Sequence, residues 1–220
     1  MYPLIEVGEN EVDIWEVALD VTKEAAAKCE AILSPDEVVR MARFVEPRAA
    51  RQYAISRGSL RRILSRYLGK PTEDVLFTTT GDGKPALASP DSSGLEFNAS
   101  HSGALALIGV TRARQIGVDV EQVRTIPKAL QLAERFFSSA EHRMLCDLPE
   151  DERSRAFLSV WVAREGNAKA RGLSVWHGLA NLKALDRWTV ASIDLGAGYV
   201  GAVVAEGTDW RVVRQGMLQE

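Results

Sequence analysis

Apolar positions near the start of the chain, Val12, Ile14, Val17 and Leu19, alternate imperfectly with polar ones and predict a β-strand. An alanine-rich stretch over 23–33 predicts a short helix. Ser34-Pro35-Asp36-Glu37 has the form of a helix start: a serine N-cap, a proline at the first helical position and a glutamate that closes a capping box. A longer helix is expected over 47–68, stopped by Gly69 and Pro71. Strands follow at 75–79, 95–99, 104–111 and 116–120, with Gly81-Asp82-Gly83 as a turn. Helices return at 127–137 and 150–170. Ser138 and Glu141 repeat the capping-box spacing between them, and Gly172 follows the second. Residues 179–213 alternate in short strands and turns. Strand, helices, strands, then the same order again, describes an α+β fold of two comparable subdomains, 1–112 and 113–220, joined near 111–115.

Composition narrows the class. The chain has 220 residues, 46% of them hydrophobic and 26% charged, which is an ordinary globular balance. Its 2 cysteines, far apart, exclude a disulfide framework and a cysteine-based zinc site. The N-terminal stretch lacks the basic flank of a signal peptide, and the apolar runs at 104–110 and 199–205 are too short to cross a bilayer. The expectation is a soluble, reduced, cytoplasmic protein whose size fits a monomer, without a membrane partner.

A net charge of −3 leaves no general basic field for nucleic acid. The charge is uneven, however. Residues 40–70 hold nine basic side chains against Glu46 alone, so an anionic partner is one reading and a solvated helix face the other.

Three segments carry candidate chemistry. Asp119 and Glu121, two apart in the strand pattern Ile116-Gly117-Val118-Asp119-Val120-Glu121, share a strand face and could hold a hard cation such as Mg²⁺ or Mn²⁺. Glu165 and Lys169 share a helix face at i and i+4, the spacing of a plain surface ion pair as well. Gly166 between them is costly in a helix, unless it lets another segment or a ligand approach closely. Asn98-Ala99-Ser100-His101-Ser102-Gly103 is polar between two apolar strands and reads as a turn suited to an anion, or as a simple capped turn.

Taken in order, Gly83-Lys84-Pro85, Phe97-Asn98-Ala99-Ser100-His101-Ser102, Gly117-Val118-Asp119-Val120-Glu121, Phe136-Phe137-Ser138-Ser139-Ala140-Glu141 and Trp161-Val162-Ala163-Arg164-Glu165 with Lys169 resemble the 4′-phosphopantetheinyl transferase family, in its larger surfactin-type class. The resemblance spans about residues 12–175. It implies two similar halves related by a pseudo-twofold axis, with the active site at their interface. It also implies Mg²⁺-dependent transfer of phosphopantetheine from coenzyme A to a serine of an acyl or peptidyl carrier protein. Carried over, Asp119, Glu121 and Glu165 are the metal carboxylates, with Glu165 and Lys169 catalytic. Lys84, Pro85, Ser100, His101, Asp119 and Lys169 meet coenzyme A, with His101 and the arginines Arg51 and Arg40 near its 3′-phosphate. Two positions depart from the family pattern: Arg164 stands where it has lysine, and Gly166 where it has alanine. A non-catalytic coenzyme A-binding regulator and a nucleic-acid-binding module are the competing readings.

Overall fold

Side-chain caps and left-handed glycines set the limits of most helices here, and strand pairing then decides how the elements stack. The computed structural model describes residues 4–81, 83–88, 94–173 and 187–218. The chain opens with β1 (Glu11–Ala18) and α1 (Lys23–Glu30), the latter capped by the Thr22 hydroxyl on the Ala25 N–H. Next comes α2 (Pro35–Met41), whose Ser34–Glu37 capping box is complete. The helix α3 (Pro47–Leu68) ends at Gly69, which takes φ 63°. That positive φ costs glycine nothing and most other residues about 1 kcal/mol or more.

A 3₁₀ turn at Thr72–Asp74 delays the strand expected from 75, so β2 is only Phe77–Thr79 and pairs with β3 (Pro85–Leu87). β4 (Leu95–Ser102) and β5 (Leu105–Arg112) complete the first half of the sequence. The second half holds β6 (Ile116–Gln122), α4 (Ala129–Phe136), α5 (Ser139–Asp147), α6 (Glu150–Ala170), β7 (Trp188–Ile193), β8 (Tyr199–Glu206) and β9 (Arg211–Met217). The Asp82 turn position and the stretch 179–186 lie outside the described residues.

Two main sheets result. One has the order β4-β5-β1-β9, the other β6-β8-β7. In each, the middle strand is antiparallel to both neighbours among the strands of its own half: β5 between β4 and β1, β8 between β6 and β7. β9 belongs to the second half by sequence but pairs parallel to β1, with a register break at Ile14/Trp15.

The first sheet is buried on both faces. Trp15, Val17, Ile108 and Val110 pack under Ile55, Ile63 and Leu64 of α3. Val12, Ile14 and Leu107 pack against Ile116, Val118 and Val203 of the second sheet. The α+β class expected from the sequence is what the chain adopts.

Candidate functional site

The site forms where α6 lies on β6 and β6 runs beside β4. A glycine on the strand permits the first contact. A Cβ on Gly117 would sit 2.0 Å from the Gly166 carbonyl oxygen and 2.4 Å from the Ala170 nitrogen, so strand and helix touch backbone to backbone. A Cβ on Gly166 itself would meet Val204 Cγ2 at 3.1 Å, the end of a side chain, so the strand approaches the backbone at Gly166 and does not depend on its missing side chain. The contact brings Asp119 beside Lys169.

Along β4, the inward side chains reach across to β6 in step. Asn98 Oδ1 accepts from the Val118 N–H at 2.9 Å. Ser100 Oγ donates to Asp119 Oδ1 at 2.6 Å, and Lys169 Nζ donates to both, at 2.9 Å and 2.6 Å. Ser102 Oγ donates to Glu121 Oε2 at 2.8 Å. The segment read from sequence as a turn is therefore strand. Pairing with β5 satisfies its backbone, which leaves its hydroxyls free to serve β6. Of that segment only its last residue, Gly103 with φ 58°, lies in the turn. Gln52 Nε2 donates to the Gly103 carbonyl at 2.8 Å and the Tyr199 hydroxyl accepts from the Ala104 N–H at 3.0 Å, so helix α3 and strand β8 both grip it.

Burial dominates the electrostatics. Asp119 is 2% exposed, and burial raises its pKa further than Lys169 and Ser100 lower it. The Glu165 carboxyl is pushed up to about 7, first by burial and then by the Asp119 carboxylate. Lys169 opposes this, Glu121 adds to it, and a hydrogen bond from the Trp161 indole pulls it back. A stack of Phe137 on Phe157 and Phe157 on Trp161 holds that indole, with ring centroids 4.9 Å and 5.9 Å apart. Asp119 and Glu121 both disfavour charge on the half-buried Glu165, an arrangement that calls for a cation.

Whether a divalent ion suits them is decided by the donor atoms. Asp119 Oδ2 is buried and has no hydrogen-bond partner, an arrangement that costs free energy unless a ligand meets it. The donors are all oxygen, as a hard cation requires. The acids are not closed into a ligand set: among the described residues no cluster of three or more His, Cys, Asp or Glu is arranged around a common point. Side-chain cations hold two of the oxygens instead, Lys169 on Asp119 Oδ1 and Arg124 on Glu121 Oε2 at 2.7 Å. The donor chemistry fits Mg²⁺; the closure would come with the ion.

Of the remaining sequence candidates, Lys84 meets the start of β6, and the others make their contacts elsewhere. Lys84 Nζ donates to the Ile116 carbonyl at 2.9 Å, at the start of β6, and lines a cavity of about 390 Å³ with Thr80, Gln115, Arg171 and Trp188. Pro85, in β3, is exposed. His101 is exposed and, as the neighbour of Ser100 and Ser102 on a strand, takes the opposite face, the one that carries Phe97 and Ala99 toward α3. Arg51 Nη2 donates to the Val21 carbonyl. Arg40 lies 5.7 Å from the Tyr53 ring centroid and lines a cavity of about 570 Å³ with Asp36, Val39, Arg43 and Phe44.

Much of the basic segment turns inward. Arg57 and Arg61 bind the buried Glu37 carboxylate, Arg61 also donates to the Thr72 and Val75 carbonyls, and Arg66 stacks on Trp15. Burial pushes Glu37 up, but the bonds from Arg61, the Ser34 N–H and Arg57 outweigh it and hold its pKa below the usual range. Arg164 likewise points away from the acids. It pairs with Glu141, the capping-box residue of α5, and donates to the Phe136 carbonyl at 3.1 Å. Sequence reasoning gave no role to Ser102, Arg124, Gln52 or Tyr199, and none to the Trp161–Glu165 bond, although its i,i+4 spacing is a usable signal.

Comparison with known proteins bears on the same segments. A model of the 4′-phosphopantetheinyl transferase superfamily matches residues 115–213, and a model of the 4′-phosphopantetheinyl transferase N-terminal region matches residues 20–112. The chain is similar to the 4′-phosphopantetheinyl transferase HetI of Nostoc sp., 37% identical over 185 residues that cover 84% of this chain and 76% of the relative. It is also similar to the 4′-phosphopantetheinyl transferase Sfp of Bacillus subtilis, 29% identical over 161 residues, 72% of this chain and 70% of that one.

Proposed function

The chain belongs to the 4′-phosphopantetheinyl transferase family and is an enzyme of that type, and from this premise we propose that it moves the phosphopantetheine arm of coenzyme A to a serine of an acyl or peptidyl carrier protein. The reaction is Mg²⁺-dependent and releases adenosine 3′,5′-bisphosphate. The observation that carries this reading is the buried, unpartnered Asp119 Oδ2 in a seam where Ser100, Lys169 and Glu165 meet.

Asp119, Glu121 and Glu165 would hold the cation. Once bound, it would supply positive charge to the diphosphate of coenzyme A and to the charge that grows there during transfer. Glu165 accepts the proton of the incoming serine hydroxyl, a task suited to a carboxyl whose pKa lies near 7. Lys169 stabilises the leaving bisphosphate with its ammonium, and Ser100 keeps that ammonium in place. Lys84 and Pro85 would meet coenzyme A, with His101, Arg51 and Arg40 toward its 3′-phosphate.

The two halves, 1–112 and 113–220, are related by a pseudo-twofold axis. This is supported by a repeated fastener: a capping-box glutamate on a short helix bonded to an arginine of the long one, Glu37 to Arg61 and Glu141 to Arg164, 24 and 23 residues apart.

Incubation of the protein with coenzyme A, Mg²⁺ and a panel of apo-carrier proteins, read by intact mass, tests the activity; one phosphopantetheine added to the carrier is expected. Glu165→Gln is expected to slow that labelling by about 10²-fold or more. Wild-type rates from this variant would remove Glu165 from the chemistry. Absence of labelling across all carriers, with coenzyme A still bound, would favour the non-catalytic regulator.

A further inference from the structure

Ser102 takes no part in the mechanism above, yet its hydroxyl is used twice at the seam. It donates to Glu121 Oε2 at 2.8 Å and accepts from the Gln122 N–H at 3.1 Å. One bond ties strand β6 to β4, and the other fixes the carboxylate which that strand carries. Arg124 meets the same oxygen, Oε2, at 2.7 Å, so both contacts leave Oε1 for a ligand. Arg124 cannot fix Glu121 alone. Its side chain is 55% exposed, and exposed ion pairs hold geometry weakly. A glutamate near a strand end otherwise keeps most of its rotamer freedom and loses it on binding.

We propose that Ser102 is a positioning residue that, by anchoring Glu121 Oε2 to β4, aims Glu121 at the divalent cation shared with Asp119 and Glu165. The inference rests on the transferase reading and adds a residue to it. Ser100 stands one pleat earlier in the same relation to Asp119, but it also receives Lys169. Ser102 touches neither Lys169 nor any group assigned to coenzyme A, so its contribution is separable from substrate binding.

Calorimetric titration of Mn²⁺ into the full chain tests this, with thermal denaturation alongside. Ser102→Ala is expected to lower Mn²⁺ affinity by about 10-fold, at the lower end of what outer ligands of metal sites contribute. Ser102→Thr keeps the hydroxyl and is expected to restore affinity to near the wild-type value. KM for coenzyme A stays unchanged, and kcat lost at low metal returns at high metal. A merely structural role would lower the melting temperature without changing the Mn²⁺ affinity of the folded protein. Should Ser102→Ala fail to fold, Ser102→Cys, a weaker donor of similar size, is expected to show intermediate affinity. Unchanged Mn²⁺ affinity in the folded Ala or Cys variant overturns the role of Ser102 alone. A wild-type protein that binds no Mn²⁺ overturns the metal reading and this inference with it.

Discussion

Arg124 and Lys169 pair, as side-chain cations, with carboxylates that a divalent ion would also use through their other oxygens, and their surroundings differ enough to give different predictions. Arg124 is exposed and its pair with Glu121 is worth under about 1 kcal/mol, so Arg124→Gln is expected to raise Mn²⁺ affinity by up to about fivefold. Calorimetry at low ionic strength would read this, and the gain should shrink in high salt. Unchanged or weaker binding would mean that Arg124 does not compete. Lys169 faces Asp119, which is 2% exposed, and its loss leaves a buried carboxylate without a counter-charge, so the same experiment on Lys169→Ala should not show a simple gain. Glu165 adds a pH dependence. Its pKa of about 7 means that it carries a proton below that pH, and a ligand must lose its proton to bind metal. Divalent affinity is expected to rise between about pH 6 and pH 8 and to level off above that. The dependence should be absent in Glu165→Gln.

At the scale of elements, the packing of α6 on β6 turns on which neighbours can move. A Cβ at Gly117 would meet the backbone of Gly166 and Ala170, which cannot yield without the helix lifting. Gly117→Ala is expected to cost about 1–3 kcal/mol or more and to lower activity with it. At Gly166 the nearest obstacle is Val204 Cγ2 at 3.1 Å, the end of a side chain, and alanine regains about 1 kcal/mol of helix propensity. Gly166→Ala should therefore lie within about 1 kcal/mol of wild type. Thermal melts that ranked the two in the reverse order would refute this account of the seam.

The helices themselves were legible in the sequence because their signals are local. Ser34, Ser138, Gly69 and Gly172 mark ends within a few residues of what they mark, and 47–68 and 150–170 read correctly. The same-face pairs Asp119/Glu121 and Glu165/Lys169 follow from periods of two and 3.6. What each side chain meets was not legible. Arg61 finds Glu37 at a separation of 24 residues, and Arg164 finds Glu141 at 23. Nothing in a stretch of arginines distinguishes these from charges offered to a partner. Asn98–Ser102 read as a turn because polar residues between apolar strands usually are one; here their partners lie on β6, across the seam.

For the molecule as a whole, the chain leaves the first sheet after β5 and returns to it as β9, so the two halves are joined at two places in the sequence. The return is made over a buried acid. Asp13 on β1 accepts from the Tyr67 hydroxyl of α3, which in turn accepts from the Trp15 indole at 2.9 Å, and Arg66 of α3 lies 4.9 Å from the Trp15 ring centroid. From β9, Gln215 also bonds to Asp13 and occupies the register break opposite Ile14/Trp15. Burial raises the Asp13 pKa above 3.8; Tyr67 and Gln215 pull it back only in part, and Glu11 on the same strand adds to the rise. A folded-state pKa above the unfolded one means that the carboxyl favours the fold most at low pH. That advantage is lost as pH climbs from the unfolded value through the raised one. Asp13→Asn keeps the acceptor for Tyr67 and removes the charge. The melting temperature of this variant relative to wild type is therefore expected to be more favourable at about pH 8 than at about pH 4, because only the wild type ionises in between. Since every other titrating group is common to both proteins, a difference that did not change with pH, or changed in the opposite sense, would show that Asp13 is not the strained member of the joint between β1, α3 and β9.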